Sequence, residues 1–313
     1  MEYRQNPLVS VAVITYNSSK TVVETLDSIY NQTYQNIELI ISDDCSTDNT
    51  VNVCRKWKEQ HHDRFVRAEI ITVLKNTGVT GNIVRAWESC SANWIKPIAG
   101  DDMLLPTCIE DNIAYVSYHR DAIIVFSRPT FVGINPSEFE RYERKMFDYS
   151  FFSMTLDEQY ERIKYGSCIP ASTSFFSRNG FEKYGLFFDN RIPMLEDRPL
   201  ELNAIKKGIK LHFLNKQTTI YRVREDSLCN AKILSPRFYE STRLAYFYYV
   251  FDKTSAANHE QAVRAAVESE MSLYNEYYSL KQLSQTKAFK IAKYVSNPKL
   301  IFERIVKIFK IKK

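Results

Sequence analysis

The chain has 313 residues, 44% of them hydrophobic and 25% charged, with only eight Gly and ten Pro. This composition supports a sizeable core and excludes disordered, collagen-like and mucin-like chains. At about 150 residues per domain, the length fits two domains or one large α/β domain, and a net charge of +5 leaves nucleic acid, anionic lipid or no special partner open. The distribution of that charge is uneven. From Lys281 onward ten Lys and Arg face Glu303 alone, so the last stretch carries +9 and the remainder −4. The 20 Tyr and 19 Phe suit core packing and also stacking on a sugar or base. Six scattered cysteines (Cys45, Cys54, Cys90, Cys108, Cys168, Cys229) form no C-x-x-C pair and read as buried thiols of a reducing compartment. Residues 1–7 are polar, and no run approaches the roughly 18 apolar residues of a membrane span. The expectation is a cytoplasmic protein, or one that sits on a membrane without crossing it.

Residues 9–14 form a nearly continuous β-branched run followed by Thr15-Tyr16-Asn17-Ser18-Ser19, the pattern of a buried parallel strand and its loop. Val22, Val23, Leu26, Ile29 and Tyr30 then recur at helical spacing, with Ser18 or Ser19 as cap. Residues 37–41 are a second strand ending in Asp43-Asp44-Cys45-Ser46-Thr47-Asp48, with Thr47 placed to cap a helix to about His61. Residues 70–74 supply a third strand, 83–91 a helix, 94–98 a fourth strand and 122–126 a fifth. This alternation predicts a mostly parallel sheet with helices on both faces, and it brings the polar clusters together at the strands' C-terminal ends. Pro97 removes a backbone donor, so the fourth strand is expected to bulge or to lack a ladder partner there. Residues 128–150 read as loop and short helix, an insertion facing an acceptor. Residues 196–207 read as a helix ended by Gly208, and the chain after about Ser235 as helical.

Three groups of carboxylates carry candidate chemistry. Asp43-Asp44, with Thr15-Tyr16-Asn17, either caps loops or accepts the N–H groups of a nucleobase, Tyr16 offering its ring to the base. Asp101-Asp102 is either solvated surface or the oxygen-donor pair of a Mg²⁺ or Mn²⁺ site whose shell is completed by phosphate. Glu196-Asp197 opens a helix, where the dipole favours acids, or serves as a general base.

The residues in these blocks resemble the family 2 glycosyltransferases of GT-A fold. The likeness rests on Pro7-Leu8-Val9-Ser10-Val11 with Thr15-Tyr16-Asn17, Leu26-x-Ser28-Ile29-x-x-Gln32-Thr33, and Glu38-Leu39-Ile40-Ile41 with Asp43-Asp44-x-Ser46-x-Asp48. It continues through Asn76-x-Gly78, Trp94-Ile95 with Asp101-Asp102, and Glu196-Asp197, over about residues 7–227. The resemblance implies an inverting transfer from a nucleotide sugar, a UDP-sugar favoured, to a glycan or lipid-linked saccharide of a bacterial surface polysaccharide. It assigns Thr15, Tyr16, Asn17, Asp43, Asp44, Asn76, Gly78, Asp101 and Arg222 to the nucleotide, with Asp44 preferred over Asp43 for reading the base. Asp102 takes the metal, Mn²⁺ or Mg²⁺, and Asp197 is the catalytic base with Glu196 as rival. Where many relatives carry a histidine after Tyr221-Arg222, this chain has Val223-Arg224, and an arginine cannot ligate a metal.

These readings divide the chain into a catalytic domain at 1–230, with a nucleotide-sugar half (1–127) and an acceptor half (128–230), and a basic helical extension at 231–313. Ile301, Phe302, Ile305, Ile308 and Phe309 fall at helical spacing among lysines, the pattern of a helix lying on an anionic membrane surface or docked on its own core. A sugar-nucleotide nucleotidyltransferase would want a Gly-rich basic loop after the first strand. A dehydrogenase would want G-x-G-x-x-G there, and the chain has neither. A non-catalytic nucleotide- or glycan-binding module stays open, and nucleic acid is disfavoured because the presumed site is acidic.

Overall fold

The computed structural model describes residues 6–250 apart from 165 and 225–235. The chain divides into two compact units, Met1–Ala245 and Tyr246–Lys313. The first begins with β1 (Val9–Thr15), α1 (Val22–Tyr30), β2 (Ile37–Asp43), α2 (Thr50–His61), β3 (Arg67–Thr72), α3 (Val79–Ser89) and β4 (Trp94–Ala99). It continues with β5 (Met103–Leu104), α4 (Cys108–Tyr118), β6 (Ile124–Val132), α5 (Phe139–Met146), α6 (Leu156–Ile163) and β7 (Phe175–Ser177). α7 (Arg178–Tyr184), α8 (Asp197–Lys206), β8 (Leu211–Arg222) and α9 (Pro236–Ala245) complete it. The second unit is described only over a turn of π-helix, Tyr246–Val250. The proposed helix at 299–313 and Cys229 lie outside the described residues. Among the described residues no helix is long and apolar enough to cross a membrane.

One eight-stranded sheet runs in the order β3-β2-β1-β4-β7-β6-β8-β5. β3, β2, β1 and β4 are mutually parallel, and side chains alternate between its faces. Val9, Val11 and Val13 pack with Ile37, Leu39 and Ile41 beneath Leu26, Ile29, Trp57 and Ile109 of α1, α2 and α4. Ala12, Ile40 and Ile95 pack on the other face against Ala86 and Cys90 at the end of α3. β1 and β2 are buried along their whole length save Ile14, which explains their unbroken apolar runs. The second half of the sheet departs from the parallel expectation. The fully buried β7 joins β4 to β6 antiparallel on both sides, and β5 pairs antiparallel with β8. β6 and β8 are parallel to one another, so β1, β2, β3, β4, β6 and β8 all end at the same edge.

Several local expectations shift. The third strand begins three residues earlier than its apolar residues suggest, because β3 is an edge strand, only half-buried, whose register is fixed by Arg67 lying beside Glu38. Leu74 falls outside it and is fully exposed. The fifth expected strand runs six residues further, to Val132, beside the long β8. Thr47 does not cap α2. Its N–H is taken by Asn17, while Asp48 accepts the Thr50 N–H one turn later. Ser18 and Ser19 do not cap α1, which starts after Thr21 without a side-chain cap. Pro97 pairs in unbroken register with Ala12, so the strand does not bulge, and the ladder to β7 stops at Ile95. All five described cysteines are free thiols, four of them buried and Cys45 only partly so.

A lateral row locks the N-terminal edge of the parallel strands. Ser10, Glu38 and Arg67 are register neighbours on β1, β2 and β3. Glu38 is 1% exposed and accepts from Ser10 Oγ, Ser91 N–H, Ser91 Oγ (2.8 Å) and Arg67 Nε (3.1 Å). Burial pushes this carboxyl up, but those donors and the Arg67 charge outweigh it and hold it below 4.5. A carboxyl lowered on folding adds stability above its unfolded value, and that stability is lost as pH falls through the folded value. Glu38→Gln should therefore cost about 1.5–3 kcal/mol in urea unfolding at neutral pH, with the gap to wild type closing as the carboxylate is protonated below about pH 4.

Candidate active site

The candidate residues fall where the chain leaves the parallel strands, at the C-terminal edge. Thr15 ends β1 beside Asp43, which ends β2, and its hydroxyl donates to Asp43 Oδ2 at 2.8 Å. Asp43, 1% exposed, also accepts from the N–H and hydroxyl of Ser46, at 2.8 and 2.6 Å. The loops after β1 and β2 are laced together. Asn17 sits in the left-handed region at φ 51°, which Asn tolerates. Its side-chain oxygen accepts from the N–H groups of Thr47 (2.8 Å) and Asp48 (3.3 Å), and its own N–H donates to Ser46 Oγ. Asn17 thus braces the loop, while the neighbouring Tyr16 ring stays half exposed. The Ser18 N–H donates to Thr50 Oγ1 and the Ser19 N–H to Asp48 Oδ2.

Asp44 is 2% exposed and heavily solvated by protein. It accepts from Thr77 N–H (3.0 Å), Thr77 Oγ1 (2.6 Å), Gly78 N–H (2.8 Å) and Arg85 Nη2 (2.9 Å). Burial alone would raise its pKa, and these four donors bring it below the ordinary value. A ligand N–H reaching Asp44 has to displace one of them, since a carboxylate offers about four acceptor sites. Asn76 donates to the Asp44 carbonyl and accepts from Arg237 Nη1 at 2.6 Å. Gly78 has φ 95°, and a Cβ there would lie 2.3 Å from the Pro193 carbonyl oxygen. Only glycine lets the loop before α8 pass this close. Thr80 N–H donates to that same carbonyl, so the segment leading to Glu196 and Asp197 is tied to the start of α3.

Asp101 and Asp102 follow β4 and Gly100, whose N–H donates to the Ile14 carbonyl and whose missing Cβ makes room for Thr15. Asp102 is 4% exposed, with Oδ1 accepting the Arg222 N–H at 2.8 Å. No other hydrogen bond to its carboxylate is found among the described residues. Burial, then the Asp101 charge, pushes its pKa up to about 8. Two adjacent carboxylates, one buried and under-compensated, form a hard oxygen-donor set that fits Mg²⁺ or Mn²⁺. Arg222 spans this turn. Its guanidinium pairs with Glu24 and donates from Nε to the Asp101 carbonyl at 2.9 Å. Arg224 Nη1 lies 3.7 Å from Asp101 Oδ2, so it stands against the acidic pair as a cation.

Glu196 precedes α8 and Asp197 opens it; both are half-buried. Asp197 Oδ1 accepts its neighbour Arg198's N–H at 2.7 Å. Burial, then the Asp197 charge, raises Glu196 to about 8, and burial raises Asp197 as well.

Three side chains at this edge escaped the sequence reading. Arg85, two turns into α3, neutralises Asp44. Lys96, fully buried on β4, donates to the carbonyls of Ser174 (2.9 Å), Ser172 and Pro97 (3.2 Å), and burial brings its ammonium down to about 8. Glu201, one turn after Asp197, is 1% exposed with neither oxygen hydrogen-bonded, and burial followed by the Asp197 charge drives it far up. A charged residue inside an apolar strand or helix face was the available signal for the last two.

Residues 10–185 match the family model of glycosyl transferase family 2. The chain is 28% identical over 228 residues to the UDP-Glc:alpha-D-GlcNAc-diphosphoundecaprenol beta-1,3-glucosyltransferase WfaP of Escherichia coli, covering 71% of this chain and 79% of that one. It is 23% identical over 239 residues to the poly(ribitol-phosphate) beta-N-acetylglucosaminyltransferase TarS of Staphylococcus aureus, covering 75% of this chain and 39% of TarS. The crystal structure of S. aureus TarS 1–349 with UDP-GlcNAc superposes with a TM-score of 0.61 at 17% identity, over 92% of this chain and 87% of that one. The mannosyltransferase PcManGT of Pyrobaculum calidifontis, in complex with GDP-Man and Mn²⁺, gives 0.55 at 17% identity, over 93% and 85%. These structural neighbours carry the GT-A fold. With more than half of its length matched to the family model, the chain belongs to glycosyl transferase family 2 and is a glycosyltransferase.

Proposed function

We propose that the protein is a metal-dependent inverting glycosyltransferase that moves a sugar from a nucleotide donor, a UDP-sugar, to a glycan or lipid-linked saccharide in surface polysaccharide synthesis. The observation that carries this reading is the buried Asp102 beside Asp101 at the end of β4, whose carboxylate accepts a single hydrogen bond among the described residues. The preference for UDP and for a lipid-linked acceptor is supported by the WfaP relative, and a UDP-sugar also occupies the TarS neighbour.

Thr15, Tyr16, Asp43 and Asp44 receive the base and ribose, with Asn17, Asn76 and Gly78 shaping that region, and Asp101 and Arg222 lie at the diphosphate and sugar. Asp102 would hold Mn²⁺ or Mg²⁺, whose chemistry there is to offset charge on the departing diphosphate. Asp197 takes the proton of an acceptor hydroxyl. The hydroxyl oxygen attacks the anomeric carbon opposite the diphosphate, the bond to the phosphate oxygen breaks, and configuration inverts. Burial raises the basicity of Asp197, and the Asp197 charge in turn pushes its neighbours Glu196 and Glu201 up. The basic stretch after Lys281 would hold the enzyme against the anionic inner face of the membrane, in the cytoplasm.

Titration calorimetry with UDP, GDP and dTDP should show UDP binding only when Mn²⁺ or Mg²⁺ is present, and Asp102→Asn should abolish it. Binding indifferent to metal and to Asp102 would sink the reading. Asp197→Asn should leave UDP binding intact and lower turnover by about 10²- to 10⁴-fold. Because a base acts deprotonated and burial raises the pKa of Asp197, wild-type turnover at saturating donor should climb with pH through a range above that of an ordinary aspartate, and the pH–rate profile checks it. Gly78→Ala, which must push the Pro193 carbonyl aside, should lower turnover more than UDP affinity, read as a larger loss in kcat than in nucleotide Kd.

A further inference from the structure

At the opposite edge of the sheet, where β6 and β8 begin, His119, Asp121 and His212 converge. One ligand atom from each lies within 4.8 Å of the other two. His119 caps the C-terminal end of α4, Asp121 follows in the turn into β6, and His212 is the second residue of β8, in register with Val125. The strand directions place this cluster about ten residues along β8 from Arg222, roughly 30 Å at the usual rise of a strand. It is therefore separate from the carboxylates of the candidate active site.

We propose that His119, Asp121 and His212 form a second metal site, one that takes a Zn²⁺-class transition metal. Three features support it. The donor set of two imidazoles and one carboxylate is that of zinc sites that keep a fourth position open, and it suits Zn²⁺ or Co²⁺ far better than Mg²⁺. The spacing is right as well. Bonds of about 2.0–2.1 Å in a tetrahedron put neighbouring ligand atoms roughly 3.4 Å apart, and His212 Nε2 and Asp121 Oδ2 stand 3.4 Å apart. His119 is exposed, so its ring can close the remaining gap by a small side-chain rotation. Finally, His212 is 3% exposed, and among the described residues its Nε2 meets only the Asp121 carboxylate, at 3.4 Å, too far for a well-formed N–H···O bond. A buried ring nitrogen is left that way at a cost unless something between the two groups satisfies both.

The surroundings orient the ligands as metal sites require. Tyr115, one turn before His119, stacks on the His119 ring with centroids 4.1 Å apart. Its hydroxyl lies 3.4 Å from His212 Nδ1, the ring nitrogen not aimed at the carboxylate. With Nδ1–H donating to that hydroxyl, Nε2 is the nitrogen left to bind a metal. A metal here would pin the end of α4 to the first turns of β6 and β8.

The test uses the full, tag-free chain, stripped with EDTA and held in excess Mg²⁺ so that oxygen-donor sites are filled. Titration with Zn²⁺ should show one saturable equivalent, and Co²⁺ should give the visible d–d absorption of a nitrogen- and oxygen-ligated ion. His119→Ala and Asp121→Asn alter exposed side chains and should each weaken Zn²⁺ binding at least tenfold and remove the Co²⁺ band, while UDP binding in Mg²⁺ is unchanged. Tyr115→Phe should weaken Zn²⁺ by about 10-fold or more through the lost orienting contact. No saturable Zn²⁺ binding by the wild type, or binding equally tight in both His119→Ala and Asp121→Asn, would overturn the proposal.

Discussion

Burying a carboxylate costs several kcal/mol unless donors or cations replace its water, and that constraint sorts the acids of this protein into two sets. Glu38 and Asp44 are almost completely buried, and each meets four or more donors, including an arginine. Both are held below their ordinary pKa values, and both tie strands and loops together. Asp102 and Glu201 are as deeply buried and Glu196 and Asp197 half-buried, each with one hydrogen bond or none to the carboxylate among the described residues, and all four are raised. The first set stabilises the fold. The second is held in an unfavourable state by the fold, which is how sites for cations and proton transfer are built.

The same constraint explains what could be read from the amino-acid order. Adjacent acids after an apolar strand are visible as Asp43-Asp44 and Asp101-Asp102, because a parallel strand must be apolar and its exit must be polar. What compensates an acid is not visible, because it arrives through tertiary contact. Arg85 reaches Asp44 from 41 residues away and Arg222 reaches Asp102 from 120. Asp44 and Asp102 therefore look alike in sequence and differ sharply in structure. The fold shows the same limit. β1 and β2, buried on both faces, announce themselves by continuous Val and Ile. The half-exposed β3 does not, and its start was displaced toward its apolar end. β5 and β7, of two and three residues, are too short to have a period. These two antiparallel strands were accordingly illegible, although the shared direction of the strands that carry the acids was not.

Two parts of the first unit are held by different forces. In one, the loops after β1 and β2 are joined by directional bonds from Asn17, Ser46, Asp48 and Thr50, so the backbone around Thr15 and Asp43 has one arrangement. Such loops are preorganised, and a ligand there spends little binding energy on ordering them. Beyond β6 the structure rests on rings instead. Phe126, Phe147, Tyr149, Phe152 and Phe213 pack on one another, with Arg128 over the Tyr149 ring.

Ring contacts have shallow directional preferences, so side chains in that layer can be exchanged without orphaning a buried polar group, whereas a change at Asn17 strands two backbone N–H groups. Sequence variation is therefore tolerated in the aromatic layer and penalised in the hydrogen-bonded loops. A fold built this way keeps those loops while its aromatic layer is reshaped, which is the physical condition for one scaffold to carry many specificities. It also accounts for the unequal strength of the sequence signal, dense through the first hundred residues and sparse across 128–193, where aromatic packing has no fixed spacing to read.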